Sequence, residues 1–164
     1  MLIFLKGPLG YETALRLYNE NTARVKKQFP EFFIRRFLDM GQKEREAAVE
    51  KNPGDVYIKE VLSGGLYGCL WALCEEKLSG CHVDMEKVPL RQEVIEILEL
   101  FDESPYEVSS SGCFLLLSEG IIKGADLIGY TDGSRDRAVY FPGHKRFLTP
   151  PGRQAADIKD RKGA

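Results

Sequence analysis

The sequence predicts an α+β fold, with strands and helices packed on a common core and two helices ahead of it. Three observations carry this reading. Between Val56 and Leu148, short apolar runs of strand length alternate with segments of helical periodicity. The turn Ser63-Gly64-Gly65 joins an extended run, Val56–Val61, to an almost wholly apolar stretch ending at Cys74. The segments Arg137–Phe141 and Lys145–Leu148 flank Pro142-Gly143-His144 and read as a hairpin.

Taken in order, Met1–Leu5 reads either as a short strand or as a disordered start, and Gly7-Pro8 with Gly10 breaks the chain. Tyr11–Phe29 reads as one helix with an imperfect apolar stripe, ended by Pro30 because the residue before proline avoids helical angles. Glu31–Lys51 reads as a second helix that Gly41 could interrupt. Asn52-Pro53-Gly54-Asp55 is a turn signal. It marks the boundary between an N-terminal helical segment, residues 1–54, and the core, residues 55–151.

Glycine's freedom at Gly64 and Gly65 lets the chain turn sharply and leaves helical N–H groups uncovered. Gly64, Gly68 and Ala72 recur every four residues, so a helix there has a face small enough for another backbone to approach. Leu66, Leu70, Trp71 and Leu73 fill its other sides, which predicts a helix buried nearly all round. Gly80 suits a left-handed cap, and Cys81–Met85 is a short strand. Pro89–Phe101 places Leu90, Val94, Ile97, Leu98 and Phe101 on one helix face, with Pro89 at the first helical position. Cys113–Leu117 reads as a strand buried on both faces, and Ala125–Tyr130 as another. Residues 152–164 are polar and read as a disordered tail.

Composition narrows the function. A chain of 164 residues, 43% hydrophobic and 29% charged, builds a core without disulfide staples. A net charge of −2 gives no general attraction to nucleic acid or to an anionic membrane. No run reaches transmembrane length, and Lys6 cuts short any signal-peptide core, so the expected location is cytoplasmic. Cys69, Cys74, Cys81 and Cys113 form no Cys-x-x-Cys pair and read as buried thiols, with no metal assigned.

Several pieces, in this order, resemble one family. They are Glu60 with Ser63-Gly64-Gly65-Leu66, then His82-Val-Asp-Met, Val88-Pro-Leu-Arg-Gln-Glu-Val and Phe101-Asp-Glu-Ser-Pro-Tyr, followed by Ser110-Ser-Gly-Cys, Ile128-Gly-Tyr-Thr-Asp-Gly and Arg146-Phe-Leu-Thr-Pro-Pro. The set is similar to the C-terminal domain of the aminoimidazole ribonucleotide synthetase superfamily, which includes selenophosphate synthetase, thiamine-phosphate kinase and the hydrogenase maturation factor HypE. The resemblance is nearest the HypE-like proteins. It implies a mixed, mostly antiparallel sheet. It also implies that ATP and magnesium are held mainly by a separate N-terminal domain, to which nothing in Met1–Asp55 is similar. HypE-type members use a C-terminal cysteine as a carbamoyl acceptor, whereas this chain ends Arg161-Lys-Gly-Ala. The expectation is a domain that is non-catalytic by itself, binding a partner protein or a phosphorylated ligand. The alternative is half of a split ATP-dependent enzyme, completed by a separately encoded ATP-binding domain. A homo-oligomer is also open, and no cofactor is assigned except ATP and magnesium through such a partner.

Two turns are candidate ligand sites. At Glu60–Gly65, N–H groups at a helix start suit a phosphate and Glu60 suits a magnesium ion beside it, so Glu60, Ser63, Gly64 and Gly65 are candidates. Ser110, Ser111 and Gly112, after Ser109, could form an anion-binding nest. The resemblance places both turns near the ligand cleft. Either turn also reads as plain packing geometry. His82 and His144 show no partner at suggestive spacing and read as surface or edge residues. Ser118–Gly124 is too short for the crossover helix that relatives carry, so the flanking strands pair antiparallel or one edge is stripped down.

Overall fold

A computed structural model describes residues 1–49 and 56–151. Its strands are β1 (Leu2–Lys6), β2 (Tyr57–Glu60), β3 (Gly80–Asp84), β4 (Phe114–Ser118), β5 (Asp126–Asp132), β6 (Arg137–Phe141) and β7 (His144–Phe147). Its helices are α1 (Tyr11–Glu20), α2 (Thr22–Gln28), α3 (Glu31–Val49), α4 (Gly65–Lys77) and α5 (Gln92–Leu100), with a 3₁₀ turn at Met85–Lys87. The strands form one sheet in the order β2-β4-β1-β5-β3-β6-β7. Every neighbouring pair is antiparallel except β3 with β6. The expected α+β class and mostly antiparallel sheet are therefore observed.

The apolar start of the chain is a strand. β1 lies between β4 and β5, with Ile3 opposite Leu117 on one side and Gly129 on the other. Ile3, Phe4 and Leu5 are buried, so successive residues find apolar neighbours on both faces of the sheet. Residues 1–49 thus share their sheet with the segment from residue 56 onward, although Asn52–Asp55 and residues 152–164 lie outside the described residues. β4 and β5 do not pair with each other. Both run antiparallel to β1, so they are parallel, and residues 119–125 return across the far face of the sheet. There Ile122 packs on Phe4 and Leu116. An extended seven-residue link is long enough for this return because it contains no helix.

Helix α4 is the spine of the main core. Leu66, Leu70, Leu73 and Cys74 are fully buried against Ile3, Leu5, Leu115 and Val83. Each leucine buried this way contributes about 1.5–3 kcal/mol. From Gly65 to Cys74 no residue is exposed, while Glu75, Glu76 and Lys77 face solvent. The close backbone approach is not on the expected Gly64–Gly68–Ala72 face, where Gly64 is exposed and the other two are half-buried. It is at Gly65: a Cβ there would lie 2.5 Å from the Tyr106 carbonyl oxygen and 2.6 Å from the Glu107 carbonyl carbon. Gly65 also has φ +66°.

A second core lies under the N-terminal helices, where α1 packs on α5 through Tyr11, Ala14, Val94, Ile97 and Leu98. The helix expected over Tyr11–Phe29 is two helices. At Asn21 (φ −135°) the chain leaves helical angles. The Asn21 amide donates to the Leu17 carbonyl at 3.0 Å, and the Thr22 hydroxyl donates to that of Tyr18 at 2.9 Å. Side chains that take these carbonyls compete with the helix ladder. Gly41 does not interrupt α3; it makes room for the Tyr11 ring, whose nearest atom would sit 2.0 Å from a Cβ. α5 starts at Gln92, not at Pro89. The basic residues Arg24, Arg35 and Arg36 are engaged by the Leu100 carbonyl, Glu31 and Glu93 respectively.

All four cysteines are buried thiols. Burial, more than the nearby Lys59 charge that opposes it, pushes the Cys69 thiol up to about 12. Among the described residues no helix is long and apolar enough to cross a membrane.

Gly65→Ala is expected to cost about 3 kcal/mol in urea denaturation, from strain plus overlap with backbone that cannot move aside; an unchanged midpoint would refute this packing. The Cys69 thiol gives a second expectation. An unfolded thiol ionises near about 8.5, while the folded one stays protonated. Stability should therefore be intact below that pH and fall as pH rises toward about 12, where the folded Cys69 thiol titrates. Melting curves from pH 8 upward should show the fall, and Cys69→Ala should reduce it without abolishing it, because burial also pushes the Cys113 thiol up.

Candidate functional site

The two candidate turns meet. Strand side chains alternate, so on β2 Lys59 and Glu60 point to opposite faces. Lys59 reaches Glu76 on α4 at 2.6 Å. Glu60 reaches the loop before β4: its Oε1 accepts from the Gly112 N–H at 3.0 Å and from the Ser111 hydroxyl at 3.2 Å.

A second carboxylate enters the same loop from α1. Glu12 Oε2 accepts from the Ser109 hydroxyl at 3.0 Å and from the Ser111 N–H. Ser110, fully buried, accepts from the Gly10 N–H at 2.7 Å through its hydroxyl. Its backbone N–H donates to the Val61 carbonyl at 2.9 Å. The stretch Ser109–Gly112 is therefore a nest that binds anions, and the anions it binds are the protein's own carboxylates. Each such charge-assisted bond contributes about 1.5–3 kcal/mol.

The helix start is also engaged. The N–H of Gly65 donates to the Leu62 carbonyl at 2.9 Å, and that of Tyr67 to the Tyr106 carbonyl at 3.3 Å. Gly64 caps α4 at φ 87° without a side-chain cap bond. Ser63, Gly64 and Leu62 are exposed at the surface of this turn. Of the predicted residues, Glu60, Ser111 and Gly112 are thus in direct contact. Ser110 lies buried behind them, and Ser63 and Gly64 form the outer lip of the neighbouring turn.

Arg45 escaped the sequence reading. It lies over Gly112, where a Cβ would come 2.5 Å from the Arg45 Cγ and 2.9 Å from its Nε. No spacing within α3 announces this cation, because its neighbour is distant in sequence. Among the described residues no group of three or more His, Cys, Asp and Glu side chains is placed to hold a metal ion.

His82, which shows no partner at suggestive spacing and reads as a surface or edge residue, has two partners across the sheet. Its Nε2 lies 2.7 Å from Asp132 Oδ2 and its Nδ1 lies 2.7 Å from the Tyr140 hydroxyl. The carboxylate can only accept, so Nε2 carries a proton, and in the neutral ring Nδ1 then accepts from the Tyr140 hydroxyl. The ring stacks on Tyr130, with centroids 4.9 Å apart. These partners sit on neighbouring strands, β5 and β6, and sequence spacing cannot show them. The Ser134 hydroxyl and N–H, and then His82, hold the Asp132 carboxyl below the usual carboxylate range. Through Oδ1, Asp132 also accepts from the Ser134 N–H and hydroxyl and so shapes the turn after β5. His144, by contrast, is exposed and stacks on Phe141 at 4.8 Å.

Replacing Glu60 tests the nest. Glu60→Leu leaves the Gly112 N–H and Ser111 hydroxyl without an acceptor and is expected to cost about 2–3 kcal/mol in urea denaturation. Glu60→Gln keeps an acceptor and should cost about half as much. Equal costs for the two would show that packing, not hydrogen bonding, is what Glu60 supplies.

With this geometry in place, the chain can be set beside known proteins. No protein-family model matches it, and no curated protein does. Solved structures do. Escherichia coli HypE aligns over 92% of this chain and 50% of its own, with 16% identity and a TM-score of 0.63. A chain of the HypE–HypF complex aligns over 92% of this chain and 52% of its own, with 16% identity and a TM-score of 0.58. Thiamine monophosphate kinase from Aquifex aeolicus aligns over 88% of this chain and 51% of its own, with 18% identity and a TM-score of 0.53. The chain spans about half the length of the structures it matches, and it has the fold of that half.

Proposed function

We propose that this chain works as a HypE-like domain that acts through a partner protein and holds no complete catalytic site of its own. The observation that carries the reading is the state of the Ser109–Gly112 nest. Its N–H groups bind Glu12 and Glu60, so the feature best suited to a phosphate already holds carboxylates. Its two carboxylates outnumber the one cation placed over the loop, Arg45, and oppose a bare phosphate. Beside it, Leu62, Ser63 and Gly64 are exposed on a turn that the buried α4 holds in place. A rigid turn with an exposed leucine is suited to a protein contact. The HypE–HypF complex shows that a protein of this fold is found with a partner.

A second reading, that the partner is an ATP-binding half and the pair forms one enzyme, draws on one further observation: the matched HypE chain is twice as long as the region aligned with this chain. On that reading the Glu60–Gly65 turn faces the nucleotide-binding partner, and the resemblance of the sequence to the C-terminal half accounts for the division.

Both readings predict that the isolated chain gains no thermal stability from ATP with magnesium. At a ligand concentration about 100 times a dissociation constant, a bound state adds about 2.7 kcal/mol, which a melting curve resolves as several degrees. A rise of that size with millimolar nucleotide would overturn the proposal. A photo-crosslinker at Ser63 should give one discrete adduct in cells, lost in the Leu62→Asp variant; no adduct at that position would count equally against it.

A further inference from the structure

A cleft of about 450 Å³ lies on the other side of Gly7 from the nest. Gly7 separates the two closely: a Cβ on it would come 2.3 Å from the Gly112 carbonyl oxygen. The turn Lys6–Leu9, leaving β1, forms the floor. The last turns of α3 form one wall, and Pro89–Arg91, leading into α5, forms the other. The volume falls within the range of about 300–1,000 Å³ typical of small-molecule sites.

The lining divides by chemistry. Leu9, Ala48 and Leu90 with Pro8 give an apolar interior. Two cations, Lys6 and Arg91, and two anions, Glu44 and Asp126, also line it. One ion pair already bridges the walls: Glu44 Oε1 accepts from both Nε and Nη2 of Arg91. The pair uses one oxygen of the carboxylate and one side of the guanidinium fork. Among the described residues nothing else engages the other Glu44 oxygen or the Arg91 Nη1, and both side chains are about one-third exposed, 30% and 37% respectively.

A polyanion such as a nucleotide would face Glu44 and Asp126, and a polyamine would face Arg91. A ligand with one charge of each sign meets neither penalty. We propose that this cleft binds a small zwitterion with an apolar side chain, of the class of a free α-amino acid. Its carboxylate lies on Arg91, its ammonium group on Glu44, and its side chain against Leu90 and Pro89. A planar guanidinium suits a carboxylate, and an ammonium group suits a carboxylate acceptor. This site is independent of the partner contact at Ser63 and stands whether or not that proposal holds.

The test uses the intact chain with leucine and phenylalanine as probes, followed by ligand-observed NMR and by melting temperature. Either amino acid is expected to bind with a dissociation constant below about 1 mM, and to raise the melting temperature in proportion to its concentration. N-acetyl-leucine and leucinamide, each lacking one charge, should bind at least about tenfold more weakly. Arg91→Met should weaken leucine by a similar factor. Ala47→Phe places a ring in the cleft from an exposed helix position; it should fold normally and abolish binding. The proposal is overturned if neither amino acid binds at about 10 mM, if the blocked analogues bind as well as leucine, or if Ala47→Phe leaves binding unchanged.

Discussion

One buried serine ties three elements together. Ser110 accepts from the first turn of α1 through Gly10, donates to the end of β2 through Val61, and accepts from the Cys113 N–H that leads into β4. Glu12 and Glu60 then close the loop around it from α1 and β2. The N-terminal helices, the Gly65 elbow and the central strands are all set by this knot of polar groups. Inside an apolar core such a network must be fully satisfied, because an unpaired buried group costs more than a paired one contributes. The carboxylates complete it by taking the Ser111 and Gly112 N–H groups, which an outside anion would need.

The apolar packing builds outward from the knot. α4 leaves the elbow beside Tyr106, with its leucines in the sheet and its charged last turn in water. Tyr57 and Lys59 meet Glu76 at the far end of α4, so β2 holds that helix near both termini. On the opposite side of the domain, His82 crosses three strands through Asp132 and Tyr140, giving the right half of the sheet a polar clasp of its own. The two halves differ in kind: carboxylates on backbone N–H groups hold one, and an imidazole between side chains holds the other.

What was legible in the sequence follows from the range of the interaction. The Gly64-Gly65 elbow, the β6–β7 hairpin and the amphipathic α5 declare themselves within a few residues, because turn chemistry and periodicity are local. Leu115–Leu117 read as a two-sided buried strand for the same reason. Most of the misreadings involve a distant partner. Gly41 reads as a breaker until Tyr11 is seen to fill its space. Asn21 is the local exception: its amide takes the Leu17 carbonyl four residues back, a competition that helical periodicity does not register. Serines before a glycine suggest an anion nest, and nothing local says that Glu12 and Glu60 supply the anions. Arg45 and the partners of His82 were hidden in the same way.

The position of β1 has a consequence for how the chain reaches this state. Ile3 pairs with Leu117 and Gly129, so β1 has no neighbour until the chain has extended to β4, more than a hundred residues on. Until then, Ile3-Phe4-Leu5 presents an apolar strand with both hydrogen-bonding edges open. Non-local closure of this kind slows folding and lengthens exposure to mispairing. A nascent chain of this protein therefore has an interval, set by its topology alone, in which a chaperone that covers extended apolar segments would have one short and well-defined target.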